Sequence, residues 1–210
     1  KAVNISLDEN GSCFEMQWPE ASGQIVTSLP VKYNVSNILA AMATVYAHGI
    51  DLSKMLNKIK SFPGVPGRME RIDEGQPFQV YVDYAHTDDA LRHALEMQRE
   101  ITKGRLLVVF GCGGNRDRDK RPKMAAAVEA YADRIWVTSD NPRKESISDI
   151  FGDIRKGISK PSRFDFVMER KRAITIALEC AEEDDCVVIA GEGHETFQEF
   201  ADTVLPFDDR

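Results

Sequence analysis

Leu106-Leu107-Val108-Val109-Phe110-Gly111-Cys112-Gly113-Gly114-Asn115-Arg116-Asp117-Arg118-Asp119-Lys120-Arg121-Pro122 is the stretch whose reading decides the fold. Leu106 to Phe110 is a short apolar run, β-branched enough to form a buried strand. Three glycines in the next four positions release the backbone from its usual steric limits. Their amides can turn inward as an anion-binding nest, the arrangement that holds phosphates and carboxylates. Arg116, Arg118, Lys120 and Arg121 follow, set against Asp117 and Asp119. Strand, glycine turn and a fork of cations describe a site for an anionic ligand. The alternative at this point is a tight loop with a solvated charged tail.

Working outward, the same strand–loop–helix unit repeats. Strands are expected at 78–82, 105–110, 134–138, 164–167 and 186–190. Helices are expected from Thr87 as cap to about 102, then at about 121–131, 146–159 and 170–183, with a last one starting after Glu195. This alternation predicts an α/β fold, a doubly wound, mostly parallel, Rossmann-like sheet. Ligands bind beyond the carboxyl ends of the strands in such sheets. Four of the five strands end in polar clusters: Asp83-Tyr84-Ala85-His86, the glycine loop, Ser139-Asp140-Asn141-Pro142-Arg143 and Gly191-Glu192-Gly193-His194-Glu195. The helix-to-strand connections carry far less of this, which points to a site along one edge.

Upstream, the pattern differs. Val3–Leu7, Cys13–Trp18 and Gln24–Leu29 alternate, with turns at Asn10-Gly11 and Ser22-Gly23, and predict a β-meander. Asn34 is placed as the N-cap of a helix that Gly49 stops, and a shorter helix covers 51–60. Phe62-Pro63-Gly64-Val65-Pro66-Gly67 breaks regular structure, so the expected domains are 1–65 and 66–210.

Composition excludes several classes. The chain has 210 residues, 42% hydrophobic and 29% charged, with net charge −7. An acidic balance argues against a general nucleic-acid binder. No apolar run approaches a membrane span. Cys13, Cys112, Cys180 and Cys186 show no metal-ligand or C-x-x-C spacing and read as reduced thiols of a cytoplasmic protein. The phosphate loop G-x-x-x-x-G-K-[ST] is absent, Arg116 breaks the dinucleotide fingerprint, and no G-x-S-x-G elbow occurs.

Arg143, fixed behind Pro142, has the planar fork that pairs with a carboxylate through two parallel hydrogen bonds. Asp140 and Asn141 suit a neighbouring amine or amide. His86 and His194 follow strands and suit phosphate contact or loop orientation, or serve as helix caps. Glu195 can accept from an ammonium or complement a helix dipole. Asp83 can accept from ribose hydroxyls or cap the next turn.

Together the motifs Tyr33-Asn34-Val35-Ser36-Asn37-Ile38-Leu39-Ala40-Ala41, Pro66-Gly67-Arg68-Met69-Glu70, Asp83-Tyr84-Ala85-His86-Thr87, Gly111 to Pro122, Asp140-Asn141-Pro142-Arg143 and Gly191-Glu192-Gly193-His194-Glu195 resemble the Mur ligases of peptidoglycan synthesis. Their order and spacing follow the family over residues 24–210, and within it the branch that adds meso-diaminopimelate to UDP-N-acetylmuramoyl-L-alanyl-D-glutamate. The resemblance implies an ATP-dependent, Mg2+-requiring, amide-forming ligase working through an acyl phosphate in the cytoplasm. It implies that residues 1–65 are the end of a central α/β ATPase domain and 66–210 the C-terminal domain. It places Asn34 and Asn37 towards adenine, Arg68 and Asp83 towards phosphate and ribose, and His86 near the nucleotide. It gives Arg116, Asp140, Asn141, Arg143, Gly191 and Glu195 to the diaminopimelate pocket, with Arg143 on the distal carboxylate that lysine lacks.

The family's catalytic groups and metal ligands would lie before Lys1, so the resemblance implies a fragment unable to ligate alone. Implied partners are the UDP-N-acetylmuramoyl dipeptide, meso-diaminopimelate and the upstream domains of the same protein. Alternatives are a lysine-adding, folylpolyglutamate or cyanophycin-type ligase, and a non-catalytic amino-acid-binding module. Three positions depart from the family pattern: Glu192 where many members have Lys, Asp88 where Pro is usual, and Val31 where Gly is common.

Overall fold

The computed structural model describes residues 1–8, 10–30 and 32–210. It divides into two compact units, Lys1–Gly64 and Val65–Arg210. Val31 lies outside the described residues.

In the first unit, β1 (Ala2–Asp8), β2 (Gly11–Trp18) and β3 (Ala21–Thr27) form the expected antiparallel meander in the order β1-β2-β3. Phe14 and Met16 of β2 alternate onto one face with Ile25. That face is covered by Val35, Ile38 and Met42 of α1 (Lys32–Ala47) and by Leu52. The short helix expected at 51–60 is a 3-10 turn, Leu52–Met55, running into α2 (Leu56–Lys60). Asn34 is not the N-cap. The helix starts at Lys32, and the Asn34 side chain donates back to the Pro30 carbonyl at 2.7 Å instead of accepting from a following amide.

The second unit holds a six-stranded sheet in the order β4-β5-β9-β6-β7-β8. Its strands are β4 (Glu70–Arg71), β5 (Gln79–Asp83), β6 (Leu106–Cys112), β7 (Arg134–Ser139), β8 (Phe164–Phe166) and β9 (Cys186–Ala190). Only the short edge strand β4 is antiparallel. β9, last of these in the chain, inserts between β5 and β6, so four polar loops far apart in sequence emerge side by side.

Both faces are covered, which is why the strands read as continuous apolar runs. Val82, Leu107, Val109, Trp136, Val187 and Ile189 pack with Ala173 and Ala177 of α6 (Arg170–Cys180), whose small side chains let the helix lie close to the sheet. The intervening residues Tyr81, Val108, Phe110, Ile135 and Val188 point to the opposite face and are equally buried. Leu91 and Leu95 of α3 (Asp88–Ile101) and Met124 and Val128 of α4 (Lys120–Tyr131) are buried too. Thr87 caps α3 by accepting from the Ala90 amide at 3.2 Å, and Asp88 with Asp89 complements the helix dipole in the first turn.

Two expectations need correction. α5 (Ile147–Arg155) ends before 159. Gly157 follows it so closely under Pro122 that a Cβ there would lie 1.9 Å from the Pro122 oxygen. The helix expected after Glu195 does not form. The chain makes a hairpin of β10 (Phe197–Phe200) and β11 (Thr203–Pro206). The strand–loop–helix repeat stops here because the backbone is bonded to the loop after β7: the Arg143 amide donates to the Glu199 carbonyl at 3.0 Å, and the Ala201 amide to the Arg143 carbonyl at 2.7 Å.

A buried fork ties the segment after this hairpin to the sheet. Arg170, with no exposed side-chain surface, donates through Nε and Nη2 to Asp209 at 2.7 and 2.6 Å. Its Nη2 also donates to the Ala190 carbonyl at 3.1 Å and its Nη1 to that of Ser139 at 3.4 Å, so one guanidinium spans the ends of β7 and β9. Arg170→Ala leaves Asp209 buried and unpaired. Denaturant unfolding should show a loss of about 3–5 kcal/mol, and Arg170→Lys should recover little, because an ammonium cannot reproduce the fork.

Candidate functional site

The loops after β5, β6, β7 and β9 enclose a cleft of about 250 Å³. Its walls include His86, Arg116, Lys120, Asp140, Arg143 and Glu195. The loops can approach this closely only where side chains are missing. A Cβ on Gly114 would lie 1.8 Å from the Pro142 carbonyl oxygen. Gly191, at φ +123°, would place one 2.7 Å from an Asp140 carboxylate oxygen.

Gly111, Cys112 and Gly113 line the cleft, while the end of the glycine turn is bonded within the chain. The Gly114 amide donates to the Asn141 carbonyl at 2.8 Å, and the amide of Asn115 (φ +54°) donates to the Glu145 carboxylate. Arg121, completely buried, grips the same carboxylate through Nη1 and Nη2, each at 3.0 Å. It also donates to Asp153 at 3.0 Å and to the Gly113 carbonyl at 3.1 Å. Lys156 and Arg118 join at Asp153, at 2.6 and 2.8 Å, and with Arg121 hold its carboxyl well below the usual range. The chain's own Glu145 thus takes the Asn115 amide and the Arg121 guanidinium behind the turn. Of the four cations after the glycines, Arg118 and Arg121 brace the α4–α5 side. Lys120 donates to the His86 carbonyl at 2.9 Å, and Arg116 is exposed with no bond to the described residues.

Opposite stands the loop 140–143. The Asn141 side chain donates to both Glu192 oxygens, at 2.9 and 3.1 Å, and accepts from the Glu199 amide at 2.6 Å. Asp140 accepts from the Asn141 amide at 2.6 Å. Arg143 adopts φ +51°, a left-handed backbone that costs energy for a residue with Cβ and persists because strand β10 holds it on both sides. Its guanidinium donates from Nη1 to the Gly114 and Asn141 carbonyls, at 3.0 and 3.3 Å, and pairs through Nε with Glu199 at 2.9 Å.

The loop after β9 adds carboxylates. Glu195 accepts from the Tyr84 hydroxyl at 3.2 Å. Glu192 is almost fully buried, and its carboxyl is pushed up to about 8, by burial first and then by Asp140, with Arg170 opposing. The cleft is thus lined by Asp140 and Glu195 and by Arg116, Lys120 and Arg143, with Glu192 holding its proton at neutral pH, a mix of acidic and basic groups suited to a zwitterionic ligand carrying an extra carboxylate.

The expected nucleotide residues are distributed differently. Asp83 is buried and accepts from the Met69 and Ala85 amides, both at 2.8 Å, which satisfies the turn-capping alternative; burial raises its carboxyl. Arg68 is exposed and stacks over the Tyr84 ring at 4.5 Å. His86 is exposed, edge-on to Tyr84 at 4.8 Å. Asn34 and exposed Asn37 belong to the first unit. Among the described residues no three His, Cys, Asp or Glu side chains converge to hold a metal, so the residues present do not furnish a Mg2+ site. Cys112 at the cleft and Cys186 have thiols raised to about 12 by burial and are not thiolate nucleophiles. Sequence reasoning missed Tyr84 and Glu199 as individual contributors. Tyr84 had a local signal, an aromatic between strand end and His86, but Glu199 had none.

The raised Glu192 carboxyl has a signed consequence. The folded chain keeps a proton there that the unfolded chain releases near the ordinary glutamate range. The associated stability is present at low pH and is lost as pH rises towards about 8. Melting curves from pH 5 to 8 should show this decline in the wild type and a flatter profile in Glu192→Gln.

Comparison with known proteins follows the same lines. The family model described as Mur ligase, glutamate ligase domain, matches residues 67–193. UDP-N-acetylmuramoyl-L-alanyl-D-glutamate–2,6-diaminopimelate ligase from Halalkalibacterium halodurans is 42% identical over 210 residues, all of this chain and 43% of that protein. The enzyme of the same name from Coxiella burnetii is 45% identical over 199 residues, 95% of this chain and 41% of that protein. A solved structure with this name superposes with TM-score 0.74 at 37% identity, covering 99% of this chain and 43% of the other. A folylpolyglutamate synthase from Thermotoga maritima shares the fold alone, with TM-score 0.71 at 18% identity over 89% of this chain and 42% of that one. The chain spans less than half the length of the curated relatives it matches. The family model spans well over half of this chain, and on that match the chain belongs to the Mur ligase family.

Proposed function

We propose that the full-length protein is a cytoplasmic, ATP-dependent ligase that joins meso-diaminopimelate to UDP-N-acetylmuramoyl-L-alanyl-D-glutamate in peptidoglycan synthesis. In this reading residues 1–64 are the end of the ATP-binding domain, and the cleft of the second unit binds the incoming amino acid. One observation carries it: Arg143 stands with Arg116 at the wall of a cleft that Asp140 and Glu195 also line.

The chain's own residues then divide the work. Arg143 and Arg116 take the carboxylate that distinguishes diaminopimelate from lysine, in the paired geometry that guanidinium favours. Glu195 and Asp140, with Asn141 behind them, accept from the ammonium groups and orient the amine that attacks. Arg68 on the Tyr84 ring and exposed His86 offer a cationic, aromatic surface suited to a nucleotide phosphate. Asn34 and Asn37 are assigned to the adenine side. Mg-ATP, when bound, supplies the activation of the γ-carboxylate as an acyl phosphate, and the metal ligands are assigned to residues outside this chain.

Discrimination follows from the site's polarity. Lysine in this cleft brings no second carboxylate to the Arg143 guanidinium, and a site built to pair a charged group rejects the analogue that lacks it. In the full-length enzyme, wild type should use meso-diaminopimelate far better than L-lysine or glutamate. Arg143→Ala should raise KM for meso-diaminopimelate by roughly a hundredfold and leave KM for ATP unchanged. Preference for lysine or glutamate in the wild type, or an Arg143→Ala enzyme with undiminished preference for meso-diaminopimelate, would overturn the assignment.

A further inference from the structure

Tyr84, in the loop after β5, lines the cleft together with Glu195. Its ring is held by neighbours from three places in the sequence. The Arg68 guanidinium lies 4.5 Å from the ring centre, and the imidazoles of His86 and His194 stand 4.8 and 5.3 Å from it. His86 Nδ1 also lies 2.8 Å from the Tyr84 carbonyl, which ties that imidazole to the same residue. A ring packed in this way presents its hydroxyl from a set position. The hydroxyl donates to Glu195 Oε1 at 3.2 Å, and among the described residues the Glu195 carboxylate has no other bond. Burial first, and then the Glu195 charge, push the Tyr84 hydroxyl above its ordinary range, so it stays protonated and remains a donor.

We propose that Tyr84 is a positioning residue for the amino-acid site: its anchored phenol orients the Glu195 carboxylate towards an ammonium group of the ligand. This rests on the assignment of the cleft to a diamino acid. A glutamate free to rotate loses rotamer freedom when it binds a cation, and one oriented beforehand avoids part of that cost. A phenol suits the task better than a cationic side chain would. It is a neutral donor, so it directs the carboxylate without cancelling the charge that attracts the ammonium, whereas an arginine or lysine here would compete with the ligand. An ionised carboxylate has about four acceptor sites, so one bond from Tyr84 leaves the others for the ligand. The ring's own contacts do not involve the hydroxyl, so removing the oxygen alone leaves the Arg68 stack in place.

The test uses the full-length enzyme with Tyr84→Phe, Glu195→Ala, the two combined, and Arg143→Ala. Melting curves check that the variants are folded. Tyr84→Phe keeps the ring and loses only the hydroxyl. It should raise KM for meso-diaminopimelate roughly fivefold and leave KM for ATP unchanged, a split that general loss of structure does not produce. Glu195→Ala should raise the same KM by roughly tenfold or more. Because the hydroxyl acts through Glu195, adding Tyr84→Phe to Glu195→Ala should change almost nothing further. A Tyr84→Phe enzyme with wild-type KM for meso-diaminopimelate would overturn the proposal. So would an equal increase with and without Glu195, because the hydroxyl would then act by another route. A Glu195→Ala enzyme with wild-type KM would overturn it as well, since the hydroxyl would have nothing to position. If Arg143→Ala leaves the preference for meso-diaminopimelate intact, the functional assignment fails. If Arg143→Ala is impaired and Tyr84→Phe is not, only the positioning role fails.

Discussion

One side-chain amide, that of Asn141, holds the arrangement on which the rest of the cleft depends. It donates to Glu192 in the loop after β9 and accepts from the backbone of β10, while the backbone carbonyl of the same residue accepts from Gly114 in the loop after β6. Three segments, each tens of residues from Asn141 in sequence, meet on this residue, inside the protein, where an unsatisfied amide would be costly. The parallel sheet makes the meeting possible by bringing its strand ends to one edge, and Gly114 makes it close enough. Asparagine is suited to the position because it offers donors and an acceptor from one rigid plane. An aspartate here would face Glu192 with a second carboxylate.

The charges of this edge fall into two sets with different tasks. Arg121, Arg118, Glu145 and Asp153 neutralise one another under the glycine turn, and Arg170 with Asp209 does the same below the ends of β7 and β9. These pairs are bidentate or multiply bonded, the condition under which buried ions are tolerated. Arg116, Arg143, Glu195 and Glu192 face the cleft. Because the first set is internally balanced, the field inside the cleft is set mainly by the second. That gives a cleft lined by the Glu195 carboxylate and by the cations Arg116 and Arg143, with Glu192 holding its proton at neutral pH.

Much of this was legible in the chain. Leu106–Phe110 and Cys186–Ala190 are apolar throughout because both faces of a parallel sheet are covered, so their strands were visible as runs. Thr87 with Asp88 announced the start of α3 through purely local capping chemistry. What stayed hidden depended on partners far away in sequence. Nothing local to the glycine turn says that Glu145, thirty residues on, takes the Asn115 amide. A helix was expected after Glu195 because a helix follows each earlier strand, whereas the chain here pairs as a hairpin and bridges to Arg143 through Phe200. Asn34 looked like a helix cap because an asparagine before an apolar run usually is one; here it donates backward to Pro30.

The central claim is that Arg143 takes the second carboxylate of a diamino acid at this cleft. A crystal structure of the full-length enzyme with meso-diaminopimelate tests it most directly. The account predicts a ligand carboxylate within hydrogen-bond distance of the Arg143 guanidinium, with Asn141 still bridging Glu192 to β10. A ligand whose carboxylates both bind elsewhere, with Arg143 turned out of the cleft, would contradict it.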